Sequence, residues 1–145
     1  VILVDANLLL YAYHPRSEQH EASRAWLEAT LSGPELVRFA WLTLWAFLRI
    51  ATNPRVFERP LSAAEAEAAV SSWLAQPNAG ILEPGERHWE ILRELMREGQ
   101  SSGPLVMDAV VAAIALEHGA ALFTTDRDFS RFPGLKWTNP LAADA

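Results

Sequence analysis

No cysteine occurs in the 145 residues, and lysine occurs once, at Lys136. The first absence rules out a disulfide framework and any thiolate metal site, and it fits a reducing, cytoplasmic setting. Positive charge is scarce altogether: twelve Lys and Arg stand against eighteen Asp and Glu, a net −6. Proteins that grip nucleic acid non-specifically are usually basic. A nucleic-acid role here therefore needs a local basic surface, a metal, or a partner that supplies charge. Long uninterrupted apolar runs are also missing. The opening stretch, VILVDANLLLYAYHP, is broken by Asp5 and has no basic flank, so it reads as neither a signal peptide nor a membrane span. The four histidines show no H-E-x-x-H spacing. There is no internal repeat, linker or low-complexity tract. The length suits one compact domain over 1–145.

What is present alternates between strand and helix. VILVD (1–5) is an apolar run ending on an acid and reads as a buried strand. Residues 17–31 begin at a capping Ser17 and repeat apolar positions at helical spacing. LVRFA (36–40) is a strand and 41–52 a buried helix stopped by Asn53-Pro54. Residues 62–76 carry a capping box, Ser62 with Glu65. A strand at 79–84, an amphipathic helix at 85–99 and a helix at 104–119 closed by Gly119 follow. AALFTT (120–125) is a strand, and LKWTN (135–139) a short edge strand. Because the strands are continuous apolar runs, the expected architecture is α/β: a central parallel sheet with helices on both faces.

Three acids stand out against that frame. Asp5 ends the first strand, and Asp126 follows the 120–125 strand in LFTTDRDF. In a parallel sheet both ends reach the same edge, where ligands bind in such folds. Asp108 sits among apolar neighbours in PLVMDAVVAAIAL, where a lone charge is costly. It lies early in a helix that leads into the 120–125 strand, so it reaches the same edge. Each acid also has a local explanation: Asp5 as a cap for a helix near Ala6, Asp108 as a first-turn charge, Asp126 as a turn residue. Together they imply more. Like charges at 4 Å cost about 4 kcal/mol per pair at an effective dielectric of 20. A divalent cation removes that repulsion, and oxygen-only donors favour Mg²⁺ or Mn²⁺ over Zn²⁺. A hard cation in an acidic cleft suits phosphate-ester hydrolysis, in which it activates water and steadies the leaving oxygen.

Other motifs point elsewhere. GQSSG (99–103) matches G-x-S-x-G but follows a helix, whereas a nucleophile elbow follows a strand. His118, just before Gly119, suits a cation at a helix C-terminus. The six Trp residues fall mostly at helical apolar positions and are expected in the core. Arg49, Arg55 and Arg59 are equally suited to a phosphate path and to a solvated surface.

Three blocks resemble the PIN-domain ribonucleases, and among them the VapC-type toxins of bacterial toxin–antitoxin pairs: VILVDANLLLYA, WAFLRIATNPRVF (45–57) and MDAVVAAIALEHGAALFTTDRDFSRFPGLKW (107–137). They cover nearly the whole chain in the family's order and spacing. The resemblance implies a PIN-like three-layer fold and a Mg²⁺-dependent endoribonuclease, with Asp5, Asp108 and Asp126 as catalytic metal ligands and Asp128 as an additional one. It also implies a VapB-type antitoxin that blocks the acidic cleft, and a homodimer. The chain departs from the pattern at Ala46, where many relatives carry Glu in the form EFLR. One metal, or a second held by Asp128 or the substrate, follows from that departure. The alternative is a PIN-fold module that binds RNA or protein without cleavage.

Overall fold

The computed structural model describes residues 1–142. Five strands form one sheet in the order β3-β2-β1-β4-β5: β1 Ile2–Val4, β2 Val37–Ala40, β3 Ala79–Leu82, β4 Ala121–Phe123 and β5 Trp137–Thr138. Every neighbouring pair is parallel, with Ile2 beside Val37 on one side and beside Ala121 on the other. The α-helices among the described residues are α1 Ala6–Ala12, α2 His20–Leu31, α3 Trp41–Ala51, α4 Ala63–Leu74, α5 His88–Glu98 and α6 Leu105–His118. None is long and apolar enough to cross a membrane.

The period of two along β1 explains why its residues are all apolar. Ile2 and Val4 belong to one core with Val37, Phe39, Leu8, Leu44, Phe47 and Trp73. Leu3 points the opposite way, into a second core with Leu122, Ala109 and Ile114. The sheet is thus covered on both faces, as expected of a parallel sheet. Full burial of side chains such as Leu3 and Leu122 stabilises the fold by about 1.5–3 kcal/mol each. The chain runs from β1 through β2 to β3 on one side, then returns to place β4 on the other side of β1. That reversal makes the carboxyl ends of β1 and β4 the topological switch point of the sheet, where ligands bind in folds of this kind.

The capping box of α4 forms in both directions: the Ser62 hydroxyl accepts from Glu65 N, and Glu65 Oε1 accepts from Ser62 N, each at 3.0 Å. Gly119 ends α6 in the left-handed region at φ 64°, which a side chain would oppose. Two expectations need correcting. Ser17 does not cap α2; its hydroxyl bonds Gln19, and the helix starts at His20 with no side-chain cap. Nor do all the Trp residues join the core: Trp73 is buried and the half-buried Trp26 and Trp137 pack against the two cores, but Trp45 and Trp89 are 62% and 64% exposed and Trp41 is also exposed. Trp41 and Trp45 sit one turn apart on the outer side of α3, away from the face that buries Leu44 and Phe47.

Candidate metal centre

β1 and β4 end side by side because Asp5 N donates to Phe123 O at 3.0 Å. Asp5 is then the N-cap of α1, its Oδ1 accepting from Ala6 N at 2.8 Å. This is the local role open to it, and it uses only one carboxylate oxygen. The other, Oδ2, accepts from the hydroxyl of Thr124 at 2.7 Å, across 119 residues of sequence. Thr124 is fully buried and saturated: its oxygen also accepts from Asn7 Nδ2 at 3.3 Å and Asp126 N at 3.0 Å. One hydroxyl has one donor and two acceptor positions, and all three are filled. It therefore orients Asp5, Asn7 and the turn of Asp126 together.

Asp126 likewise does two things. Its Oδ1 accepts from Asp128 N at 2.8 Å and caps the short 3-10 helix Arg127–Arg131. Its carboxylate also joins those of Asp108 and Asp128, one oxygen from each lying within 4.8 Å of the others. Asp108 comes from the first turn of α6, whose next residues, Ala109 and Val111–Ala115, are buried. The helix is pinned by its apolar body, and its first turn presents a carboxylate at the rim.

The electrostatics follow from this crowding. Burial pushes the Asp108 carboxyl up to about 6, helped by the charges of Asp126, Asp5 and Asp128; only Arg131 opposes the shift. Burial also raises the Asp5 carboxyl, and Asp126 adds to it, while the Thr124 and Ala6 donors pull it back. At 4.8 Å each pair of ionised carboxylates repels by roughly 3 kcal/mol at an effective dielectric of 20.

The structure thus brings all four sequence-derived acids to one rim. Asp108, Asp126 and Asp128 form the tight group, and Asp5 adjoins it through Thr124. The donor set is oxygen alone, which fits a hard divalent cation. The buried Oδ1 of Asn7 has no hydrogen-bond partner among the described residues, and its side chain bonds the same Thr124 hydroxyl as Asp5. Ala46, half-buried on α3, offers none. Thr124 and Arg131 are not legible in the sequence: a threonine at a strand end looks like strand, and Arg131 links the nearby carbonyl of Asp128 to that of Gly99, 32 residues away. GQSSG is the interhelical loop it was expected to be, with Ser101 buried. A groove of about 590 Å³ lies away from the acids, lined by Tyr13, His20, Leu27, Leu31 and Trp73.

An α/β fold with acids gathered at the switch point of a parallel sheet defines a class, and comparison with known proteins agrees. Residues 2–135 match the PIN domain family. The chain is 44% identical over 140 residues to ribonuclease VapC37 of Mycobacterium tuberculosis, covering 97% of each chain. Its fold is similar to that of VapBC2 from Rickettsia felis bound to promoter DNA (TM-score 0.69, 16% identity, 95% and 97% of the chains covered). It is also similar to that of M. tuberculosis VapC20, a sarcin–ricin loop cleaving toxin (TM-score 0.65, 22% identity, 94% and 99% covered). The chain belongs to the PIN family and, within it, to the VapC ribonucleases.

Proposed function

We propose that the chain is the toxin of a toxin–antitoxin pair, an endoribonuclease that hydrolyses RNA phosphodiester bonds with Mg²⁺, for which Mn²⁺ can substitute. The observation that carries this reading is the convergence of Asp108, Asp126 and Asp128 within 4.8 Å, with Asp5 adjoining. Those four acids hold the ion. The ion supplies positive charge against the phosphodiester and makes water a better nucleophile. The chain's own residues fix the arrangement: Thr124 orients Asp5, and the 3-10 helix sets Asp126 against Asp128. The apolar body of α6 keeps Asp108 at the cleft. Because the second-block carboxylate is replaced by Ala46, a single ion is the simplest occupancy, and Asp128 takes the place of the missing donor.

The whole chain, 1–145, acts as one PIN domain in the cytoplasm. A VapB-type antitoxin covers the acidic cleft, in keeping with the VapBC complexes among its structural neighbours. The chain pairs as a homodimer, for which the exposed Trp41 and Trp45 on α3 offer an apolar face.

The test is RNA cleavage by purified protein with Mg²⁺ and with EDTA, alongside Asp5→Asn and Asp108→Asn. Cleavage should need Mg²⁺ and fall at least a hundredfold in both variants, since each removes a ligand of the ion. Equal cleavage in all samples would point to a contaminant and leave the binding-only module as the better account.

A further inference from the structure

Arg131 closes the 3-10 helix that starts beside Asp126, and it is half-buried. Its Nε donates to the main-chain oxygen of Asp128 at 3.2 Å, and its Nη1 donates to that of Gly99 at 3.1 Å. The first carbonyl belongs to the turn that bears Asp126 and Asp128. The second lies at the end of α5, at the head of the loop that leads to α6 and Asp108. Both acceptors are neutral. Among the described residues the ion pairs are Arg16 with Glu58 and Arg24 with Glu28, so Arg131 has no carboxylate partner. Its charge nonetheless reaches the acid group, where it favours ionised Asp108.

A guanidinium carries five N–H donors in one plane. Two of those on Arg131 are engaged by carbonyls, and three remain. A cation is therefore held in a fixed orientation beside the acids, with part of its fork unused. Arg49, Arg55 and Arg59, which the sequence offered for phosphate contact, are exposed side chains.

Building on the nuclease reading, we propose that Arg131 is a phosphate anchor, its guanidinium receiving a non-bridging oxygen of the RNA backbone next to the cut bond. The planar fork matches phosphate geometry. A chain of net charge −6 must admit a polyanion to a cleft walled by carboxylates. The bound ion offsets the acids, and Arg131 offsets the neighbouring phosphate. Its two carbonyl bonds order the side chain beforehand, which lowers the entropy lost on binding.

The experiment measures binding of a short fluorescein-labelled single-stranded RNA by anisotropy, with Ca²⁺ in place of Mg²⁺, across a range of salt. Arg131→Gln should bind about tenfold more weakly, the loss of one charge-assisted contact. Its slope of log K against log salt should be shallower by about 0.7, one phosphate fewer. Arg131→Lys keeps the charge and should keep the slope. Calorimetric Mn²⁺ affinity should be the same in all three proteins. An unaltered slope in the Gln variant would overturn the proposal. So would a loss of Mn²⁺ affinity at constant slope, which would make Arg131 a staple between the two acid-bearing segments. If the Gln variant does not fold, the Nε–Hε resonance of Arg131 in ¹⁵N spectra of the wild type decides: it should shift on adding RNA, and a stationary resonance overturns the anchor. A wild type that binds no RNA would refute the nuclease reading as well, whereas wild-type binding with an unchanged Gln slope refutes this proposal alone.

Discussion

Replacing Asp108 by Asn should make the metal-free protein more stable and the metal-loaded protein less so. The carboxyl of Asp108 is raised from 3.8 to about 6, so the folded chain holds its proton over a range where the unfolded chain has released it. Stability from the protonated form is complete below the unfolded value and is lost as pH rises through about 6. Above that, the ionised group strains the fold. The two pKa values set a ceiling of about 3 kcal/mol, and water around this partly exposed side chain reduces it to about 1–2 kcal/mol. Asn has nearly the same shape and no charge, so it relieves the strain. In EDTA at neutral pH, Asp108→Asn should melt about 3–8 °C above wild type. The difference should shrink as pH falls from 6 and vanish below about 4. Adding Mg²⁺ should reverse the order: a ligand at a hundred times its Kd stabilises by about 2.7 kcal/mol, and the variant has lost a donor. Calorimetric melts in EDTA and in Mg²⁺ at several pH values provide the check. A variant that melts below wild type in EDTA at neutral pH would refute the reasoning, because Asp108 would then be stabilising the fold rather than straining it.

Further outcomes follow from the same geometry. Thr124→Val keeps the volume but strands Asp5 Oδ2, Asn7 Nδ2 and Asp126 N, so denaturant melts should show a loss of about 1–3 kcal/mol and cleavage should fall; Thr124→Ser should recover most of both. Ser62→Ala breaks the capping box of α4 and should cost about 1 kcal/mol in the same melts while leaving cleavage unchanged. Ala46→Glu should raise Mn²⁺ affinity or stoichiometry in calorimetry; an unchanged isotherm would place position 46 outside the ion's surroundings.

Much of this was legible in the chain because the relevant signals are local. VILV and ALF are apolar runs long enough for buried strands, Ser62 and Glu65 announce a helix start, and Gly119 announces a helix end. Asp108 stands out as the charge inside the apolar run LVMDAVVAAIAL. Strand direction then brought Asp5 and Asp126 to its side. What stayed hidden depends on contacts far apart in sequence. α1 is only half legible: Asp5 marks a cap for a helix near Ala6, but Leu8, Leu9 and Leu10 run together directly after a strand and give no helical period to extend it. Thr124 gains its meaning from Asp5, and Arg131 from the carbonyl of Gly99. The exposure of Trp41 and Trp45 stays hidden because an apolar helix reads the same in sequence whether all of its surface or only one face is buried. Asp5 and Asp126 show that a local role does not exhaust a carboxylate: each caps a backbone N–H through Oδ1, while Oδ2 of Asp5 reaches Thr124 and Asp126 joins the group with Asp108 and Asp128.

The central claim is that four carboxylates from separate elements bind one hard cation at the rim of the sheet. A crystal grown with Mn²⁺ and measured at the manganese absorption edge tests it most directly. An anomalous peak among the carboxylate oxygens of Asp108, Asp126 and Asp128, with Asp5 beside it, is the expected result. A flat map there, with Mn²⁺ bound elsewhere or not at all, would contradict it.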